Sequence, residues 1–166
     1  WEQDGEHWQS LQTEHFNIHY LQPHELAAQR AAAIAEHAWQ RLTQRLNWTP
    51  DERIEMVLTD DHDGPNGWAH VEPFNQIRLF LSPPDSHTTL EVADDWLHLL
   101  ITHELTHILH IDMVRGFPAK VRAVFGRHSL TFPHAYTPGF LLEGLAVYEE
   151  TNAQAGYGRG QDVLFE

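Results

Sequence analysis

The apolar positions change period several times along the chain. From His15 to Tyr20 they alternate, with Phe16, Ile18 and Tyr20 on one side and Asn17 and His19 on the other, which predicts a half-buried strand. From Pro23 to Leu46 the spacing lengthens to three and four. Ala31, Ile34, Ala38, Leu42 and Leu46 form one stripe, with Pro23 at the entry and Asn47 at the exit, and this predicts a long helix. Residues 53–59 and 76–81 read as two more strands, and 68–71 as a short extended piece pairing with the second. Clusters of Asp, Gly, Pro, Asn and Ser at 60–67 and 82–86 read as turns. Asp94 or Asp95 is expected to cap a helix running to about Val114, with Gly116 as its stop and Pro118 just beyond. A loop rich in Gly, Pro and His then covers 116–139, a last helix runs from Phe140 to about Thr151, and the tail from Ala153 shows no pattern. No repeat or linker divides the chain, so residues 1–166 read as one α+β domain.

The helix ending near Val114 is the most informative segment. Its apolar residues lie on every side, as in a helix at the middle of a domain, yet it also carries His98, His103, Glu104, His107, His110 and Asp112. Buried ionisable groups need partners or a metal. Residues 103–107 spell His-Glu-Leu-Thr-His, an HExxH pattern. Positions i and i+4 share one helix face, so both imidazoles can point at one zinc about 2.0–2.1 Å away, and the Glu at i+1 can take a proton from water on the metal. A catalytic zinc needs a third protein ligand and an open position. Glu143, a lone carboxylate among apolar residues in Phe-Leu-Leu-Glu-Gly-Leu-Ala-Val-Tyr-Glu-Glu, is the candidate; the plainer alternative is an acid favoured by the helix N-terminus. Small Gly144 and Ala146 are expected to let its helix approach another closely. Glu150, seven residues on, returns to the face of Glu143 and can accept the outer N–H of a ligand histidine.

Composition narrows the alternatives. The chain has 166 residues and no cysteine, which excludes a disulfide scaffold, a thiol nucleophile, a cysteine zinc finger and an iron–sulfur centre. Its 10 Lys and Arg against 24 Asp and Glu give a net charge of −14, which argues against a grip on nucleic acid or an anionic membrane. No apolar stretch approaches the roughly 20 residues that span a bilayer, so a soluble piece is expected. Beginning at Trp1 and ending in Asp-Val-Leu-Phe-Glu, the sequence reads as a piece of something longer. It holds 14 histidines, and seven of them (His7, His15, His19, His24, His37, His62, His87) are scattered and read as surface.

The HELTH phrase followed by FLLEGLAVYEE resembles the gluzincin branch of the zincin metallopeptidases, in which HExxH is joined by a glutamate on a second helix. The second phrase is similar to the E-G-x-x-x-Y-x-E segment of zinc aminopeptidases in that branch. One departure is the 35 residues between His107 and Glu143, roughly twice the gap in those enzymes, so an extra loop is expected. The stretch around 13–20, HELTHILHID, Phe125-Gly126-Arg127, Phe132-Pro133 and 138–150 together resemble a bacterial peptidase-MA-like domain, of the kind that precedes a TolB-like or WD-repeat β-propeller in a large exported protein.

What the resemblance implies is a zincin-like, thermolysin-type domain with a small mixed sheet, a central HExxH helix and a C-terminal ligand helix. One Zn2+ per chain would sit on His103, His107 and Glu143, with Glu104 as general base and Glu150 behind a ligand histidine. The family places an edge strand that pairs with substrate at Gly67-Trp68-Ala69-His70, making Trp68 and Ala69 substrate contacts; an ordinary hairpin is the alternative. Tyr136, His128 and His134 are loop candidates for stabilising an oxyanion. His110 lies one turn past His107, too far along a straight helix to share a metal with His103, and is expected to line the cleft or to sit hydrogen-bonded in the core. Asp112 is expected either to orient a ligand histidine or to be a solvated carboxylate at a helix end, and Tyr148 to sit in core or interface. The function implied is peptide-bond hydrolysis on a peptide or protein substrate, with a β-propeller in the same full-length chain, periplasmic or extracellular placement, no nucleic acid and no transmembrane segment. The alternatives are a zinc-stabilised binding module with weak or lost catalysis, and a chance HExxH in a domain without metal.

Overall fold

A computed structural model describes residues 7–60, 66–81 and 90–153, with residues 90–95 as backbone only. His62, His87, the turn at 82–86 and the tail from 154 lie outside the described residues, as does most of the turn at 60–67. Five strands form one mixed sheet in the order β1-β2-β3-β5-β4: β1 Trp8–Gln12, β2 Phe16–Leu21, β3 Ile54–Thr59, β4 Asn66–His70 and β5 Gln76–Phe80. The pairs β2–β3 and β3–β5 are parallel, while β1 and β4 run antiparallel at the two edges. The expected pairing of the Trp68 segment with the Ile77 strand is present, with Trp68 opposite Arg78 and Ala69 opposite Ile77. The fold is thus α+β with a small mixed sheet.

Alternation sets which face of the sheet is covered. Phe16, Ile18, Tyr20, Ile54, Met56, Leu58, Ile77 and Leu79 are buried beneath helices α1 (Glu25–Leu46) and α2 (Leu90–Asp112). The opposite face carries a polar ladder in which Ser10 meets His19 at 2.8 Å and both Asn17 and His19 reach Glu55. Helix α1 lies on the sheet through Ala28, Ala31, Ala32, Ala35, Ala38 and Leu42, a stripe of mostly small residues that lets backbones come close. It ends as expected at Asn47, whose left-handed φ of 51° suits asparagine. A polar clasp joins β2 to α1: His15 donates its backbone N–H to Glu36 at 2.9 Å, its ring lies 2.6 Å from the same carboxylate, and that ring stacks on Trp39. His15 is therefore a structural clasp and not a scattered surface residue.

Two expectations fail at the level of elements, and one strand was not expected. Strand β1, with the mostly exposed sequence Trp-Gln-Ser-Leu-Gln, has too few apolar positions to announce itself. Helix α2 begins at Leu90, so Asp94 and Asp95 lie within it and not at its N-terminal boundary. The span read as a loop after α2 contains helix α3 (Phe117–Phe125) and two 3-10 turns, Ser129–Thr131 and Pro133–Tyr136. Gly116 and Pro118 open α3 instead of closing α2, since proline is well placed in a first turn, where no backbone donor is needed. Helix α4 (Gly139–Thr151) closes the described fold and packs on α2.

Asp112 is the junction that holds the α3 segment down. This buried carboxylate accepts a hydrogen bond from the Trp48 indole at 2.9 Å, and its other oxygen lies 3.1 Å from Arg122 and 2.9 Å from Arg127. Arg122 also donates to the Thr131 carbonyl, and Arg127 to the Val71 carbonyl and Asn75. Both guanidinium groups lie over the buried Phe132 ring, at 4.3 and 5.1 Å. Asp112 therefore neither orients a ligand histidine nor faces solvent, and both readings of it are corrected.

Candidate metal centre

Helix α2 presents His103 and His107 one turn apart on the side facing α4. Their Nε2 atoms are 3.1 Å apart and the rings stand nearly perpendicular. From α4, Glu143 brings one carboxylate oxygen to 3.3 Å from His103 Nε2 and the other to 3.5 Å from His107 Nε2. One donor atom from each of the three residues lies within 4.8 Å of the others. Glu143 falls in the second turn of α4, beyond the first turn where a helix N-terminus attracts acids. Its side chain is 63% exposed, an open placement that electrostatics of the helix end does not explain.

Two neighbours fix this arrangement. Glu150, fully buried, lies 3.0 Å from His103 Nδ1, and a proton on Nδ1 donated to that carboxylate leaves the Nε2 lone pair directed at the cluster. Glu149, the next residue, turns the other way and receives Arg41 at 3.1 Å and Arg45 at 2.7 Å from α1. Ala146 is buried in the α2–α4 contact, but a Cβ at Gly144 would meet open space, so the close approach rests on Ala146 alone of the two small residues.

Glu104 is buried beside the cluster. A Cβ placed on Gly67 would stand 3.1 Å from both Cγ and Oε1 of Glu104 and 3.2 Å from Leu100, so β4 lies flush on this carboxylate. A cleft of about 650 Å³ runs between β4 and α2, lined by residues 66–69, by Trp96, Leu99 and Leu100, and by His103, Glu104, His107, Glu143 and Glu150. Trp68 and Ala69 thus reach the cleft, and β4 is at once an edge strand and half of a hairpin with β5. Trp96, Leu99 and Leu100 were not singled out from sequence, although they precede His103 by seven, four and three positions and so share its helix face.

The three proposed oxyanion groups are not brought to the cleft. His128 caps a 3-10 turn by accepting the Leu130 N–H, His134 lies against His110 with ring centroids 5.1 Å apart, and Tyr136 is largely exposed. His110 stands outside the three-residue cluster; burial, and secondarily His134, hold its pKa below 6.5. His70, stacked on Trp68, is likewise pushed down by burial. Tyr148 is exposed beneath the Arg45 guanidinium, 5.7 Å from its ring centre, and not in the core.

Two imidazole nitrogens and one carboxylate are a donor set that zinc takes, and three protein ligands leave a further coordination position open. Among the described residues, no helix is long and apolar enough to cross a membrane. No protein-family model matches the chain, and no curated protein matches it.

Proposed function

We propose that the chain is a zinc-dependent peptidase, with His103, His107 and Glu143 as metal ligands and Glu104 as general base. The observation that carries this reading is the convergence of the three donor groups in the cleft that also holds the Glu104 carboxylate and the edge strand β4. Zinc held there would supply Lewis acidity, polarising a carbonyl and acidifying water. Glu104 accepts the proton of the attacking water and passes it to the leaving amine. Glu150 holds the His103 ring in the tautomer that leaves Nε2 free for the metal. Strand β4 offers an extended peptide its outer backbone edge, with Trp68 and Ala69 against the substrate. The wider reading, an exported protein carrying a propeller beyond this domain, rests on the resemblance of the sequence phrases.

The test is metal content after purification without added metal, together with hydrolysis of an unstructured polypeptide. Wild type should hold a single zinc and cleave. Glu143→Ala should retain zinc poorly. Glu104→Gln should keep the metal while its rate falls roughly 10²–10⁴-fold, the usual contribution of a general base. Zinc retained with no cleavage by any form would leave a binding module, and zinc absent after reconstitution would remove the metal reading altogether.

A further inference from the structure

The acidity of the chain is not spread evenly. Residues 113–142 contain none of the 24 Asp and Glu but include Arg115, Lys120, Arg122 and Arg127, four of the 10 basic residues. Helix α3 lies in this segment and has no buried residue. At 100° per residue, Phe117, Val121, Val124 and Phe125 fall within an arc of about 100°. Phe117, Val124 and Phe125 on that arc, and Leu130 in the turn packed against α3, are each about three-quarters exposed. The usual orientation is inverted: Arg122 points inward to Asp112 while the phenylalanines point out. Lys120 is exposed at the margin of the apolar arc, and Arg115 is exposed just before the helix.

We propose that the outward face of α3, with Leu130 beside it, is a docking site for an anionic lipid surface. Apolar rings backed by a cationic margin suit the boundary between headgroups and acyl chains, where phenyl groups enter the apolar layer and a lysine stem reaches back to phosphate. Protein interfaces share the preference for Phe but enrich Arg and deplete Lys; here Lys120 flanks the exposed rings, and Arg122 and Arg127 are turned inward. The net charge of −14 does not forbid this contact. At physiological salt, exposed charges more than about 8 Å apart are largely screened, so the charges nearest the patch, Lys120 and Arg115 with Asp51 within reach of Arg122, count for more than the total.

The experiment is co-sedimentation of the 166-residue chain with phosphatidylcholine vesicles and with vesicles of equal parts phosphatidylcholine and phosphatidylglycerol. The mixed vesicles should carry the protein down and the neutral ones far less, with the difference shrinking as salt rises. Phe117→Ser with Phe125→Ser should weaken partitioning about a hundredfold, roughly a decade for each exposed ring, and Lys120→Glu about tenfold. Both variants alter exposed side chains, and a circular dichroism spectrum matching wild type confirms their fold. No association, equal association with both vesicle types, or unchanged partitioning of the variants overturns the proposal. So does lipid-free self-association that the double serine variant abolishes, which would assign the face to a second copy of the chain.

Discussion

At the scale of single residues, the site depends on one missing side chain. A methyl group at Gly67 would press on Glu104 Cγ, on its Oε1 and on Leu100, so in Gly67→Ala the Glu104 carboxylate, Leu100 or the strand has to give by a few tenths of an ångström. The expected result is a turnover number reduced by at least about tenfold with zinc content unchanged, since proton transfer depends on position more than ligation does; equal turnover in the two forms would show that the contact is relieved without consequence for Glu104. His110 gives a pH signature. Its Nδ1 is buried with no hydrogen-bond partner, and its pKa is held below 6.5, so protonation favours the unfolded chain. The stability it preserves above 6.5 is lost as the pH falls below that value. His110→Leu should therefore flatten the acid limb of the melting temperature in metal-free protein, and an unchanged slope would refute this. The grouping of His103 with His107, and of Glu143 with Glu150, was legible because helical periodicity alone puts 103 beside 107, and 143 in line with 150. The contact of Gly67 with Glu104 was not, because it joins an edge strand to a helix across 37 positions of sequence.

At the scale of elements, α4 is located by adjacent carboxylates that leave it in opposite directions. Glu150 reaches α2 and Glu149 reaches α1, and together they fix the rotation that delivers Glu143. Glu149→Ala takes the carboxylate from Arg41 and Arg45, leaving Arg41 its bond to the backbone carbonyl of residue 149 and Arg45 its contact with Tyr148, and so loosens the hold on the rotation of the helix. Zinc affinity should then fall on the order of tenfold although no ligand has changed. Metal titration against a chelating indicator checks this, and wild-type affinity in a folded variant would mean that α4 is held by apolar contacts. The long helices and inner strands were readable because burial imposes a period on them. Strand β1 and helix α3 were not, since β1 is mostly exposed and α3 faces its apolar residues outward; Pro118, taken as a terminator, serves as a first-turn residue.

At the scale of the whole molecule, the long passage from α2 to α4 is secured mainly by charge. Asp112 gathers Trp48 from beyond α1 together with Arg122 and Arg127, which carry the ties on to Val71 and Thr131. Asp112→Asn leaves two largely buried guanidinium groups without their counter-charge and should cost about 3–5 kcal/mol in urea unfolding, the range for breaking a buried ion pair. A loss below about 1 kcal/mol would mean that Phe132 and its apolar neighbours suffice. The same junction makes the choice of denaturant matter. Guanidinium is chemically the head group of arginine and can take the places of Arg122 and Arg127 at the carboxylate and over the Phe132 ring, where urea has no charge to offer. Hydrogen exchange across 113–138 should therefore quicken in guanidinium at concentrations where urea of equal global strength leaves it protected.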